Sequence, residues 1–144
     1  MTHAPAVVLD THIVLDLFVF ADEAAAGLRA ALEAGALRWI ATAEMRGELA
    51  RVLAYPQIAP RLAQHALSAE AVLARFDRHA RIAEAAAKAP FTCKDPDDQC
   101  FVDLAAAHGA WLLSKDKAVL ALARRLARVG ATVARRWPVA GAQP

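Results

Sequence analysis

The chain has 144 residues, enough for one domain with a sizeable core, and 58% hydrophobic against 22% charged residues excludes a disordered chain. Its net charge of +2, from 17 basic and 15 acidic residues, does not by itself demand a polyanionic partner. Two cysteines, Cys93 and Cys100, lack zinc-type spacing and read as free thiols of a reducing compartment.

No signal-peptide pattern opens the sequence and no apolar run reaches the length of a membrane span, so a cytoplasmic protein is expected. Residues 1–144 read as a single domain, with 136–144 as a flexible tail. Alanine is abundant, which weights the chain towards helices.

Ala6-Val7-Val8-Leu9 is a short apolar run that stops on Asp10. Such a run fits a strand buried on both faces, the kind found in parallel sheets. Residues 13–20 follow as a short helix or an irregular segment. Asp22 then suits a helix cap, Leu28, Ala31 and Leu32 give that helix its buried stripe, and Gly35 ends it. Leu37–Ala41 reads as the second strand, and Thr42 caps a helix over 43–54 that buries Met45, Leu49, Val52 and Leu53. Pro56 and Pro60 break the pattern. A long alanine-rich helix is expected from Leu67 to Ala87, with Leu67, Val72, Leu73, Phe76 and Ile82 as core. It carries no motif and few charges over 62–74, which suits scaffold or a partner surface.

Asp95-Pro96-Asp97-Asp98 opens the next helix, with proline at its first position and Asp95 as cap. Phe101, Leu104 and Ala105 face inward, and Gly109 ends it. Residues 110–114 form another short strand, halted by Asp116. A helix with Leu120, Leu122 and Leu126 follows, and then a last strand over 131–134. Strands alternating with helices argue for a three-layer α/β/α sandwich around a mostly parallel sheet. Late basic residues, Arg124, Arg125, Arg128, Arg135 and Arg136, are either a phosphate-tracking patch or a solvated helix face.

The acids carry the chemistry. Asp10 and Asp116 each end an apolar strand, so a parallel sheet brings both to one edge, where ligands of α/β sheets gather. Glu48 lies beside the buried stripe of its helix. Asp98 starts the helix that feeds the strand before Asp116, although helical periodicity does not separate it from Asp97. Singly, each acid reads more readily as a helix cap or a surface charge than as a site residue. Together they form a crowded oxygen-only set that needs a cation, and Mg²⁺ or Mn²⁺ suits it better than zinc. No Asp-x-Asp phosphatase signature, nucleophile elbow or glycine-rich phosphate loop competes.

Four stretches, in order, resemble the PIN domain family of metal-dependent nucleases, especially its bacterial toxin-like (VapC-like) branch. They are Val8-Leu9-Asp10-Thr11, Glu48 to Leu53, Asp95 to Phe101, and Gly109 to Asp116. The resemblance implies a ribonuclease whose Asp10, Glu48, Asp98 and Asp116 are catalytic and hold one or two Mg²⁺ ions, with Mn²⁺ as substitute. It also selects Asp98 over Asp97, and leaves Thr11 and Ser114 to orient the acids or the water. RNA as substrate, a cognate antitoxin and a homodimer are the partners it implies. A silent PIN module binding RNA or protein, and an RNA-processing or DNA nuclease, are the competing expectations. One departure stands out: His12 occupies the place where the family usually has asparagine or serine after Asp-Thr.

Overall fold

The computed structural model describes residues 4–137. Strand β1 (Ala6–Leu9) leads into helix α1 (Thr11–Phe18), and a 3₁₀ turn at Glu23–Ala25 leads into α2 (Ala26–Glu33). Then come β2 (Arg38–Ala41), α3 (Ala43–Leu53), α4 (Ala59–Gln64), α5 (Ala69–His79) and β3 (Ala80–Ile82). A second 3₁₀ turn, Pro96–Asp98, runs into α6 (Gln99–His108). The rest is β4 (Trp111–Leu113), α7 (Lys117–Leu120), α8 (Ala123–Arg128) and β5 (Thr132–Ala134).

The five strands form one sheet in the order β3-β2-β1-β4-β5, and every pairing is parallel. β1 lies at the centre, all four of its residues buried, as an apolar run without alternation requires. From β1 the chain first steps outward to β2 and β3, then returns and steps the other way through β4 to β5. Right-handed crossovers therefore put α1 to α5 on one face and α6 to α8 on the other, a three-layer sandwich. Contacts agree: α1 packs with α2 and α3, α3 with α5, and α6 lies on β1 and β4. In the first layer the Trp39 ring lies between Phe18 and Phe76, with centroids 6.0 and 4.9 Å away. Phe101, Val102, Leu104 and Ala105 of α6 fill the second.

The helix starts follow from side-chain caps. Asp10, Thr42, Ser68 and Asp116 accept the amides of Ile13, Met45, Ala71 and Ala118 at 3.2, 3.2, 3.0 and 2.8 Å. Gly109 closes α6 in the left-handed region at φ +59°, and a Cβ there would meet Gly130 O at 3.5 Å.

Two expectations from the sequence need correction. The helix expected over 67–87 ends at His79, and 80–82 form edge strand β3, pairing Trp39, Ile40 and Ala41 with Ala80, Arg81 and Ile82. Ile82, expected in the core, is 57% exposed. The cause is tertiary: pairing with β2 overrides the helix propensity of an alanine-rich stretch. Pro60 does not simply break a helix; it sits in the first turn of α4, where its missing N–H costs nothing. Leu62, Val72 and Phe76, in and beside the stretch offered as partner surface, are turned into the core. Of the expected tail, 138–144 lie outside the described residues, while Trp137 stands edge-on against Trp111 with centroids 5.0 Å apart. No helix among the described residues is long and apolar enough to cross a membrane.

Candidate metal centre

The strand order reverses between β1 and β4, and the carboxyl ends of these two strands open a crevice at that switch point. Register brings Leu9 beside Leu113, and the Asp10 amide donates to Leu113 O at 3.2 Å. Asp10 and Ser114, each the first residue beyond its strand, therefore meet. The Ser114 hydroxyl donates to Asp10 Oδ2 and accepts the Asp116 amide at 3.0 Å. Ser114 is wholly buried and Asp10 nearly so, with 4% of its surface exposed. One buried hydroxyl thus positions two of the expected acids.

Asp98 arrives from the other side of the crevice. The loop before it is pinned to α6: Gln99 Oε1 accepts the Cys93 amide at 2.6 Å, and Asp103 Oδ1 accepts the Ala89 amide at 2.8 Å. Asp95 caps the 3₁₀ turn by accepting the Asp97 amide at 3.0 Å. The turn then aims Asp98 at the strand ends. One oxygen from each of Asp95, Asp98 and Asp116 lies within 4.8 Å of the others. Asp95, read from sequence as a cap, is a cap and also a member of this cluster. The signal for it was the spacing, because residues three apart in a helical turn share a side.

Electrostatics show how uncomfortable the cluster is without a cation. Burial pushes the Asp98 carboxyl up to about 8, helped by a proton shared with Asp116 and by the charges of Asp116, Asp95 and Asp10. Burial also raises Asp10, against the Ser114 hydroxyl, the Ile13 amide and the nearby charge of His12, which favour its anion. Asp98 Oδ2 is buried with no hydrogen-bond partner. A carboxylate with one orphaned oxygen, clustered with two more carboxylates, is a donor set short of one positive centre. An oxygen-only ligand set of this kind fits a hard divalent cation.

Glu48 is not in that cluster. It stands half-buried on α3, and its Oε1 accepts a hydrogen bond from the Thr11 hydroxyl, the residue next to Asp10. Glu44, Glu48, Arg51, Pro96, Asp97 and Cys100 line a shallow cavity on this flank. Asp97 is exposed and is not a member of the cluster that holds Asp98. His12 is exposed in the first turn of α1, where Asp10 already supplies the cap. Cys93 and Cys100 are both free. Burial and the charges of Glu48 and Glu44 push the Cys100 thiol up to about 12, so it is no thiolate nucleophile.

The structure thus brings together Asp98 and Asp116, ties Asp10 to them through Ser114, and hangs Glu48 on the same strand end through Thr11. A parallel α/β sandwich with an acidic, oxygen-only centre at its switch point is suited to metal-assisted chemistry on anionic substrates. The family model described as PIN domain matches residues 6–118, and the chain belongs to that family. The PIN domain is a nuclease fold, and its members are generally nucleases that typically use divalent metals. No curated protein matches the chain.

Proposed function

We propose that the chain is a Mg²⁺-dependent endoribonuclease, with Mn²⁺ as an effective substitute, and the toxin half of a toxin–antitoxin pair. The observation that carries the reading is the orphaned Asp98 Oδ2 beside Asp95 and Asp116, next to the buried Asp10. Asp95, Asp98 and Asp116, with the adjoining Asp10, would hold the cation, and Glu48 stands on the flank. When bound, the cation neutralises the acids, polarises the scissile phosphate and eases ionisation of water.

The chain's own residues prepare the site. Ser114 Oγ donates to Asp10 Oδ2 and so aims that carboxylate into the crevice. Thr11 Oγ1 does the same for Glu48 Oε1. Asp98, whose carboxyl burial raises to about 8, would have to ionise to hold the cation. Ionised carboxylates beyond those needed for the cation accept a proton from the attacking water. In-line attack leaves a 5′-phosphate and a 3′-hydroxyl. Single-stranded or loop RNA, an antitoxin and a second copy of the chain are the partners that go with this reading, in the cytoplasm.

The test is incubation with RNA and Mg²⁺ against a chelated control. Metal-dependent cleavage with 5′-phosphate products is expected. Cleavage that survives chelation would sink the metal mechanism. The toxin role predicts growth arrest on expression, relieved by a small neighbouring reading frame; growth unaffected by an RNA-cleaving chain would remove that role alone.

A further inference from the structure

We propose that RNA reaches the metal centre from the β5 side, with the phosphates next to the scissile one held by Arg135 and Arg136. The proposal rests on the ribonuclease reading and names the substrate grip of that site. The Ser114 amide donates to Ala134 O at 3.0 Å, so Arg135 leaves β5 at the level where Ser114 leaves β4. Arg135, Arg136, Lys115 and Trp137 line one crevice together with Ile13 and Asp16. None of the centre's acids lines this crevice, but it adjoins them along the chain: the Ile13 amide is the one Asp10 caps, and Lys115 stands between Ser114 and Asp116.

The charges along this edge are unequal. Lys115 is paired with Asp16, so its charge is already used. Arg135 and Arg136 are exposed, and among the described residues neither makes an ion pair or a side-chain hydrogen bond. The opposite flank carries Glu44, Glu48 and Asp97 against Arg51 alone. A polyanion is repelled there and attracted on the β5 side, within reach of the Debye length. Trp137, fixed edge-on to Trp111, adds an aromatic ring beside the arginines, the mixture that grips single strands. The other late arginines do not belong here. Arg124, Arg125 and Arg128 lie exposed on α8, whose Leu126 is buried; none of them lines this crevice, and Arg125 and Arg128 line a separate one with Pro90 and Phe91.

The experiment measures binding of a short fluorescent single-stranded RNA across a salt series. It uses the full chain carrying Asp98→Asn, with and without Arg135→Ala/Arg136→Ala. Arg125→Ala/Arg128→Ala removes equal charge from α8 and is the control. Loss of two phosphate contacts should flatten the plot of log affinity against log salt by about 1.4, and weaken binding about tenfold near physiological salt. Melting temperature should not move, and the α8 control should keep the parent slope. Unchanged slope and affinity in the Arg135/Arg136 variant, or an equal loss in the α8 control, overturns the proposal. If the parent cleaves RNA while that slope is unchanged, only the grip is wrong. If the Asp98→Asn chain binds no RNA and the parent cleaves none, the ribonuclease reading falls with it.

Discussion

Ser114→Ala is the most informative single substitution for the structure of the centre. Its hydroxyl is wholly buried, donates to Asp10 Oδ2, and accepts the Asp116 amide at 3.0 Å. Alanine fits the space but leaves the buried Asp10 Oδ2 and the partly buried Asp116 amide without partners. A hydrogen bond to a charged group contributes about 1.5–3 kcal/mol and a neutral one about 0.5–1.5 kcal/mol. The variant should therefore lose about 2–4 kcal/mol of stability in the metal-free protein. The loss should also depend on pH. The Ser114 bond is the largest of the influences that favour ionised Asp10, so its removal costs most where that ion forms. Urea unfolding in chelator, at about pH 5 and about pH 8, measures both quantities, with the larger loss expected at the higher pH. A loss under about 0.5 kcal/mol at both values would show that the hydroxyl positions nothing.

Further expectations concern the acids and one glycine. Asp98 holds a proton in the folded state up to about pH 8, which the unfolded chain releases near 3.8, so the folded state binds more protons between those values. Metal-free stability should accordingly fall as pH rises through that window, and Asp98→Asn should flatten the slope and melt above the parent at its upper end; a parent that gains stability there contradicts the assignment. Asp98→Asn should abolish cleavage while Asp97→Asn, at an exposed position, keeps most of it; kinetics on the pair decide whether the functional acid is off by one. Asp95→Ala should cost about 1 kcal/mol through the lost cap and, unlike an ordinary cap mutant, also weaken Mn²⁺ binding, which a metal titration would detect. Gly109→Ala forces a β-carbon into the left-handed region and should cost about 1–2 kcal/mol; an unchanged melting curve would refute the strain argument.

What was readable in advance follows from how local each signal is. β1 and β4 announce themselves because a strand buried on both faces is an uninterrupted apolar run, and an acid at its end breaks the pattern visibly. Helix starts at Asp22, Thr42 and Asp95 are equally local, each needing only a side-chain oxygen and an amide two or three residues on. β3 is different: Ala-Arg-Ile has no strand pattern of its own, and only the open edge of β2 makes it one. The position of Asp95 in the acidic cluster was masked by its adequacy as a cap, and only its three-residue spacing from Asp98 pointed to a second role. The late arginines form a single group along the chain but two groups in space, because a three-residue strand separates α8 from Arg135. Glu48 stands outside the tight cluster because α3 approaches from the α1 layer, and its link to the centre runs through Thr11.

Calorimetric titration with Mn²⁺ of the parent chain and of Asp98→Asn, at neutral pH without RNA, tests the central claim most directly. The account predicts saturable binding by the parent, with release of a proton because Asp98 must ionise, and loss of both binding and proton release in Asp98→Asn. Equal Mn²⁺ affinity in the two chains, or none in the parent, would contradict a metal centre at the Asp95, Asp98 and Asp116 cluster.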